Sequence, residues 1–124
     1  MKTVLIADGE RSIRKALELL FVSRGDFVFM AKTAENALSI LKTADPDIII
    51  YDMQLSGISP ADFARIAKNS DSSRLIFTSL YPEWPKIETI KKTANCHYLE
   101  KPFAIKDLTK LLPESASGKI RFAC

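Results

Sequence analysis

The residues of this chain that can do chemistry are polar side chains at the ends of apolar segments. Asp8 and Glu10 follow the first segment, Asp52 ends the third, Thr78 lies near the end of the fourth, and Lys101 follows the fifth. A carboxylate can act as a nucleophile toward a phosphoryl group. A Mg²⁺ ion, held by one or two carboxylates and several waters, reduces the repulsion between the two anions. A lysine ammonium and a threonine hydroxyl can then contact the phosphoryl oxygens.

Five short segments rich in β-branched and aromatic residues must position these side chains. They are residues 3–7, 27–31, 48–52, 74–79 and 96–100. The first, third and fourth segments are almost continuously apolar, which is typical of strands buried on both faces. In an open parallel sheet, ligands bind beyond the carboxyl ends of the strands. We therefore expect the polar residues to meet at one edge of a sheet.

Helical patterns separate the five segments. Apolar residues three and four positions apart predict five helices, while Arg24-Gly25 marks the end of the first and Ser59-Pro60 the start of the third. The apolar positions are Ile13, Ala16, Leu17 and Leu20; Ala34, Ala37, Leu38 and Leu41; Phe63, Ile66 and Ala67; Ile87, Ile90 and Ala94; and Ile105, Leu108, Leu111 and Leu112. This alternation predicts an α/β domain with a parallel sheet and helices on both faces.

Length and composition restrict the class of protein. A chain of 124 residues favours one domain, and a net charge of +3 is too small to predict nucleic-acid binding. Cys96 and Cys124 lie far apart without metal-binding spacing, which predicts a reducing compartment. The amino terminus does not resemble a signal peptide, and no apolar run is long enough to span a membrane, so the expected location is the cytoplasm. The segment after the first strand lacks the glycine-rich turn of nucleotide-binding sites.

Three motifs resemble those of the receiver domains of bacterial response regulators. DIIIYDMQLSG (47–57) resembles the phosphoacceptor strand and its following loop, IFTSL (76–80) the segment with the switch hydroxyl, and YLEKPF (98–103) the segment with the switch aromatic and a lysine. The resemblance implies a flavodoxin-like, doubly wound sheet in the order 2-1-3-4-5 with five helices on two faces. It implies a receiver domain over residues 1–113. We expect residues 114–124 to be a tail or the start of a linker that continues in a longer chain.

The resemblance also assigns roles to individual residues. Asp52 is implied to be the phosphoacceptor, and Lys101 to pair with the phosphoryl group. Thr78 and Tyr98 are implied to be the switch residues that reposition after phosphorylation. The Lys101-Pro102 peptide bond is implied to be cis, which only a bond to proline allows at low cost.

The main departure from the pattern of the family lies directly after Asp8. Receiver domains normally carry two adjacent acids after the first strand, and here the second is replaced by Gly9. The implied Mg²⁺ ligands are then Asp8, Asp52 and the main-chain carbonyl of Gln54, with Glu10 as a candidate additional ligand. We expect weakened Mg²⁺ binding, by a factor of about ten or more, since 1.4 kcal/mol already corresponds to tenfold.

Two hypotheses about function follow. In the first, the chain is the signal receiver of a two-component phosphorelay: a histidine kinase or phosphotransfer protein phosphorylates Asp52, and a protein-binding face then switches. In the second, favoured by Gly9, it is a degenerate receiver that acts as an interaction or dimerisation module without phosphorylation. An aspartyl hydrolase is disfavoured, because Gln54 stands where such enzymes carry an acid two residues after the nucleophile.

The resemblance limits the expected activity and the expected partners. The chain is expected to be no enzyme, beyond self-catalysed phosphotransfer and dephosphorylation at Asp52. Downstream, the implied partner is a target protein or an effector domain, with no direct contact to nucleic acid or membrane. A homodimer through the fourth helix, the fifth strand and the fifth helix is one alternative.

Overall fold

The computed structural model describes residues 1–67, 73–81 and 96–113. Its five strands are β1 (Thr3–Ala7), β2 (Phe27–Ala31), β3 (Ile48–Asp52), β4 (Arg74–Ser79) and β5 (Cys96–Glu100). The described helices are α1 (Arg11–Ser23), α2 (Ala34–Thr43), α3 (Pro60–Ala67) and α4 (Ile105–Thr109). The fourth helix predicted from sequence, around residues 87–94, and the tail at 114–124 lie outside the described residues.

The strands form one parallel sheet in the order β2-β1-β3-β4-β5. This confirms both the α/β class predicted from the alternating pattern and the strand order implied by the resemblance. All five residues of the central strand β3 are buried, which agrees with its uninterrupted apolar sequence. The outer strand β2 is only partly buried, because it pairs with one neighbour.

Helices cover both faces of the sheet, and the sheet divides the core into two layers. One layer joins α2 and α3 to the strand residues that point toward them, including Tyr51 and Phe63. The other joins α1 and α4 to the opposite side chains of the same strands, including Leu17 and Leu108. Side chains of successive strand residues alternate between these layers. None of the described helices is both long and apolar enough to cross a membrane.

Local signals in the sequence explain where several helices begin and end. Gly25 follows α1 with a φ of +84°, a left-handed conformation that glycine adopts without strain. The Thr33 side chain accepts from the Asn36 N–H at the start of α2, and Ser59 accepts from the Asp62 N–H at the start of α3.

The last described helix is shorter than the apolar pattern predicts. Regular α-helix ends at Thr109, although the pattern continues to Leu112. The N–H groups of Leu111 and Leu112 donate to carbonyls three residues earlier, so the chain tightens before Pro113. Arg74 donates to the Leu111 carbonyl, which gives this carbonyl a partner outside the helix.

Candidate functional site

The carboxyl ends of the strands bring the predicted site residues to one edge of the sheet. Asp52 at the end of β3 is the register partner of Thr78 in β4. The Asp8 N–H, directly after β1, donates to the Ala31 carbonyl at the end of β2. The Lys101 N–H, directly after β5, donates to the Ser79 carbonyl. These backbone contacts extend the ladder by one residue and carry both side chains to the same edge.

Lys101 lies between two carboxylates. Its Nζ is 2.7 Å from Asp8 Oδ2 and 3.4 Å from Asp52 Oδ2. All three residues are buried, with 2% to 7% of their surface exposed. Two carboxylates and one ammonium give this acidic pocket (Asp8, Asp52 and Lys101) a net charge of −1. A buried cluster of this kind is stable only while its charges remain paired and hydrogen-bonded.

The two carboxylates determine the protonation of Lys101. Burial by itself lowers the pKa of the ammonium, since the charged form loses hydration. The hydrogen bond and charge of Asp8, followed by those of Asp52, outweigh burial and raise the pKa above its ordinary value. Lys101 is therefore a cation at neutral pH and can pair with an oxygen of a further anion that enters the pocket.

Each carboxylate of the pocket is oriented by the peptide that lies two residues later in the chain. The Glu10 N–H donates to Asp8 Oδ1 over 2.8 Å, and the Gln54 N–H donates to Asp52 Oδ1 over 2.9 Å. Such local turns hold an aspartate side chain in one orientation. Arg14 Nη1 also donates to the Asp8 carbonyl, over 2.9 Å, and so anchors the same loop to α1.

Glycine at position 9 is not required by the backbone. The φ of Gly9 lies outside the left-handed region, in contrast to Gly25 and Gly57. A Cβ built on Gly9 would have its nearest contact at 3.8 Å, with Leu55 Cδ2, which is an ordinary van der Waals distance. The replacement of the acid by glycine therefore changes the charge of the site, and the backbone conformation of the loop does not depend on it.

The remaining candidate residues lie near the pocket in different environments. Thr78 is buried, and its Oγ1 has no hydrogen-bond partner in the part of the chain that the structure describes. Tyr98 on β5 is half-buried against the layer of the core under α2 and α3. Glu10 is exposed and borders an open cavity of about 240 Å³ between α1 and the β5–α4 connection, which Lys101 and Phe103 also line.

Tyr51 is a residue beside the pocket that the sequence analysis did not single out. Its ring is fully buried and stacks on Phe63 with the ring centroids 3.8 Å apart. Burial, and secondly the charge of Asp52, raise the pKa of Tyr51 to about 12. Its hydroxyl has no partner among the described residues. The signal in the sequence was a tyrosine inside an otherwise aliphatic buried strand.

The acidic pocket fits a Mg²⁺ ion with few protein ligands. Within residues 1–67, 73–81 and 96–113 there is no cluster of three or more histidine, cysteine or acidic side chains that can hold a metal. Mg²⁺ is commonly held by one or two carboxylates and completes its octahedron with waters. Asp8 and Asp52 supply that minimal set, and each carboxylate oxygen has a second lone pair beyond its present hydrogen bond. The Lys101-Pro102 bond beside them is cis, as the resemblance implies.

Comparison with curated proteins gives several relatives over most of the chain. "Probable transcriptional regulator ycf27" of Guillardia theta is 34% identical over 106 residues, which are 85% of this chain and 41% of the relative. "Sporulation initiation phosphotransferase F" of Bacillus subtilis is 28% identical over 85% of this chain and 86% of the relative. The chain thus spans less than half of the first relative and most of the second.

Comparison with solved structures supports the same fold. A response regulator receiver domain from Clostridium thermocellum superposes with a TM-score of 0.79 at 24% identity, covering 90% of each chain. The response regulator TrrA from Thermotoga maritima, solved in complex with Mg²⁺ and BeF, superposes with a TM-score of 0.71 at 25% identity, covering 90% of this chain and all of that one. The family profile described as the response regulator receiver domain matches residues 4–113. The chain therefore belongs to the response regulator receiver domain family.

Proposed function

We propose that this chain is a phosphorylatable signal receiver in which Asp52 accepts the phosphoryl group. The observation that carries the proposal is the ion pair of Lys101 with Asp8 and Asp52 in one buried pocket. The pairing gives the acceptor carboxylate a neighbouring permanent cation, which is what an incoming dianionic phosphoryl group requires.

The neighbouring side chains supply separate parts of this chemistry. Lys101 Nζ, now shared by two carboxylates, pairs with a phosphoryl oxygen once the group is bound to Asp52. The hydroxyl of Thr78, which has no hydrogen-bond partner among the described residues, donates to a second phosphoryl oxygen. Thr78 lies on β4, the strand next to β5, which carries Tyr98. In this proposal the Tyr98 ring repositions when Thr78 is displaced.

In the transfer step, a carboxylate oxygen of Asp52 attacks phosphorus. One P–O bond forms and the bond from phosphorus to the donor nitrogen of a phosphohistidine breaks. The electron pair of the broken bond stays on the imidazole nitrogen of the donor, which then takes up a proton from solvent. A bound Mg²⁺ supplies charge neutralisation between the acceptor and the incoming phosphoryl group. In dephosphorylation, the oxygen of a water molecule attacks the same phosphorus, and the bond from phosphorus to the Asp52 oxygen breaks. Inorganic phosphate leaves, and Asp52 returns to a carboxylate.

We propose that Mg²⁺ binds this pocket through Asp8, Asp52 and the main-chain carbonyl of Gln54, with Glu10 as a candidate further ligand. Receiver domains generally bind Mg²⁺ at their acidic pocket. Weak binding is expected here, because Gly9 removes one anionic ligand and Lys101 already neutralises part of the charge of the remaining two.

The test uses a small phosphodonor, acetyl phosphate, with Mg²⁺ and the full chain. Intact mass and peptide mapping are expected to show one added phosphoryl group, located on Asp52. The Asp52→Ala variant is the control, and it should gain no mass. Equal labelling of the two proteins, or no labelling at any Mg²⁺ concentration, would contradict the proposal.

Receiver domains interact with histidine kinases or phosphotransfer proteins and with effector domains. We propose a histidine kinase or phosphotransfer protein as the donor for Asp52, with a target protein or an effector domain downstream. The relatives support both a separate target protein and an attached effector domain. This chain spans about half of the PhoB protein of Pseudomonas aeruginosa, which is longer, and most of the Bacillus phosphotransferase. Residues 1–113 are the proposed receiver and 114–124 a tail or linker.

A second candidate function is a degenerate receiver that binds or dimerises without phosphorylation. The specific observation in its favour is Gly9, at a position where the backbone accepts a side chain and the acid is nevertheless missing. Failure of phosphoryl transfer, together with an oligomeric state that the Asp52→Ala substitution leaves unchanged, is the result that favours this candidate.

A further inference from the structure

The side chain of Gln54 connects the loop after β3 to the end of β4. Its Nε2 donates to Ser79 Oγ over 3.0 Å, and its Oε1 accepts from the Leu80 N–H over 3.3 Å. The main-chain N–H of the same residue donates to Asp52 Oδ1. Gln54 therefore contacts both the carboxylate proposed as acceptor and the strand that carries Thr78.

Ser79 lies at the centre of these contacts and is fully buried. Its Oγ accepts from Gln54 Nε2 and from the Tyr81 N–H at 3.0 Å, and donates to the Tyr81 carbonyl at 2.7 Å. A hydroxyl has one proton and two lone pairs, so these three bonds use its full hydrogen-bonding capacity. They also hold the main chain of Tyr81 against Ser79, while Leu80 and Tyr81 themselves are exposed at 46% and 66%.

The preceding residue, Thr78, is in the opposite condition. Its buried hydroxyl lacks a partner within the described ranges, and its Cα is the register partner of Asp52. A phosphoryl oxygen on Asp52 offers this hydroxyl an acceptor, which favours displacement of Thr78 toward it. Because Thr78 and Ser79 share a peptide bond, that displacement strains the saturated hydrogen bonds of Ser79.

We propose that the Gln54 bridge, meaning the hydrogen bonds that join Gln54, Ser79, Leu80 and Tyr81, stabilises the unphosphorylated arrangement and breaks when Asp52 accepts a phosphoryl group. Breakage releases Leu80 and Tyr81, two exposed apolar residues, so that phosphorylation in the buried pocket changes the conformation of residues at the surface. This inference rests on the proposed function. The side chain of Gln54 has a positioning role, because it acts through Ser79 and the Leu80 main chain.

The first test measures the affinity of the full chain for beryllofluoride, a phosphoryl analogue, at saturating Mg²⁺. Gln54→Leu removes both side-chain bonds and keeps the N–H that donates to Asp52. It is expected to tighten binding about tenfold, because the lost bonds restrain only the unmodified state. Ser79→Ala is expected to act in the same direction, and the double variant to gain less than the sum of the two single effects, because both variants remove the bond between Gln54 and Ser79. Ser56→Ala, a change of an exposed residue on the same loop, is the control and should keep the wild-type affinity.

Amide hydrogen exchange supplies a readout independent of affinity. The N–H groups of Leu80 and Tyr81 are donors in the bridge, so beryllofluoride is expected to speed their exchange about tenfold in the wild type. Gln54→Leu should speed the exchange of Leu80 without any ligand. Unchanged or weaker affinity in Gln54→Leu, additive effects in the double variant, or unchanged exchange would overturn the bridge and leave the proposed function intact. A wild-type chain that neither binds beryllofluoride nor gains a phosphoryl group on Asp52 would refute the proposed function, and the bridge with it.

Discussion

Restoring an acid at position 9 is the most direct perturbation of the acidic pocket. Gly9→Asp adds one negative charge to a pocket whose two carboxylates and one ammonium leave a net charge of −1. The structure accommodates the added Cβ, which would lie 3.8 Å from Leu55 Cδ2. The backbone there does not adopt a positive φ, so the change carries no conformational penalty of that kind. Its effect is therefore electrostatic.

The magnitude follows from the charges. At about 4 Å and an effective dielectric constant of about 20, one pair of unit charges interacts by about 4 kcal/mol, so one carboxylate attracts the doubly charged Mg²⁺ by about 8 kcal/mol. Desolvation of the ion and the carboxylate offsets more than half of this attraction, so the net gain is about 1.4 to 2.8 kcal/mol, or about 10- to 100-fold in the Kd for Mg²⁺. Without the metal, the same carboxylate repels Asp8 and Asp52 and lowers the free energy of unfolding by about 1 kcal/mol.

Two measurements check these signs. Isothermal titration calorimetry gives the Kd for Mg²⁺ of the wild type, Gly9→Asp and the uncharged control Gly9→Asn. Thermal unfolding with and without Mg²⁺ should show that Gly9→Asp is the less stable protein in the absence of the metal and gains the most from adding it. Equal Kd values for the wild type and Gly9→Asp, or an equal gain in Gly9→Asn, would refute the reasoning that the missing charge at position 9 weakens metal binding.

Two further substitutions test the buried polar groups. Tyr51→Phe removes a buried hydroxyl without a partner in the described part of the chain, so chemical denaturation should show a gain of about 1 kcal/mol, with no gain in the exposed control Tyr81→Phe. The pKa of Tyr51 rises from 10.0 to about 12 in the folded chain, so the tyrosine of the unfolded chain ionises at a lower pH. The free energy of unfolding of the wild type should therefore fall between these pH values. An equally large fall in Tyr51→Phe would contradict this. Lys101→Met leaves Asp8 and Asp52 without their cation and should lower the free energy of unfolding by about 3 kcal/mol at pH 7. Part of this stability should return in acid, because the carboxylates then become protonated. A loss that does not depend on pH would indicate a packing effect instead. The elevated pKa of Lys101 adds stability that is complete below its ordinary value of 10.5 and is lost as the pH rises above it, so this variant should lack that alkaline loss.

Most of the fold was predictable from local patterns. The five apolar segments predict the five strands, and Thr33, Ser59 and Gly25 act at helix ends through bonds between residues close in sequence. The strand order came from the resemblance to receiver domains, since periodicity does not specify which strands become neighbours. Periodicity also predicted too long a last helix. Leu111 and Leu112 continue the apolar pattern and pack on the core, partly buried and buried respectively, but they do so from a tighter turn that the pattern does not distinguish from α-helix.

The sequence by itself determined which chemical groups stand at the ends of the strands, and its resemblance to receiver domains identified the missing acid at position 9. Only the tertiary structure decided how these groups pair. Lys101 is 93 residues from Asp8 and 49 from Asp52 along the chain, yet its ammonium lies closer to Asp8. Likewise, the side chain of Gln54 binds Ser79, 25 residues away. Secondary structure depends on neighbouring residues, whereas these contacts depend on how distant segments pack, and a single sequence does not record that geometry.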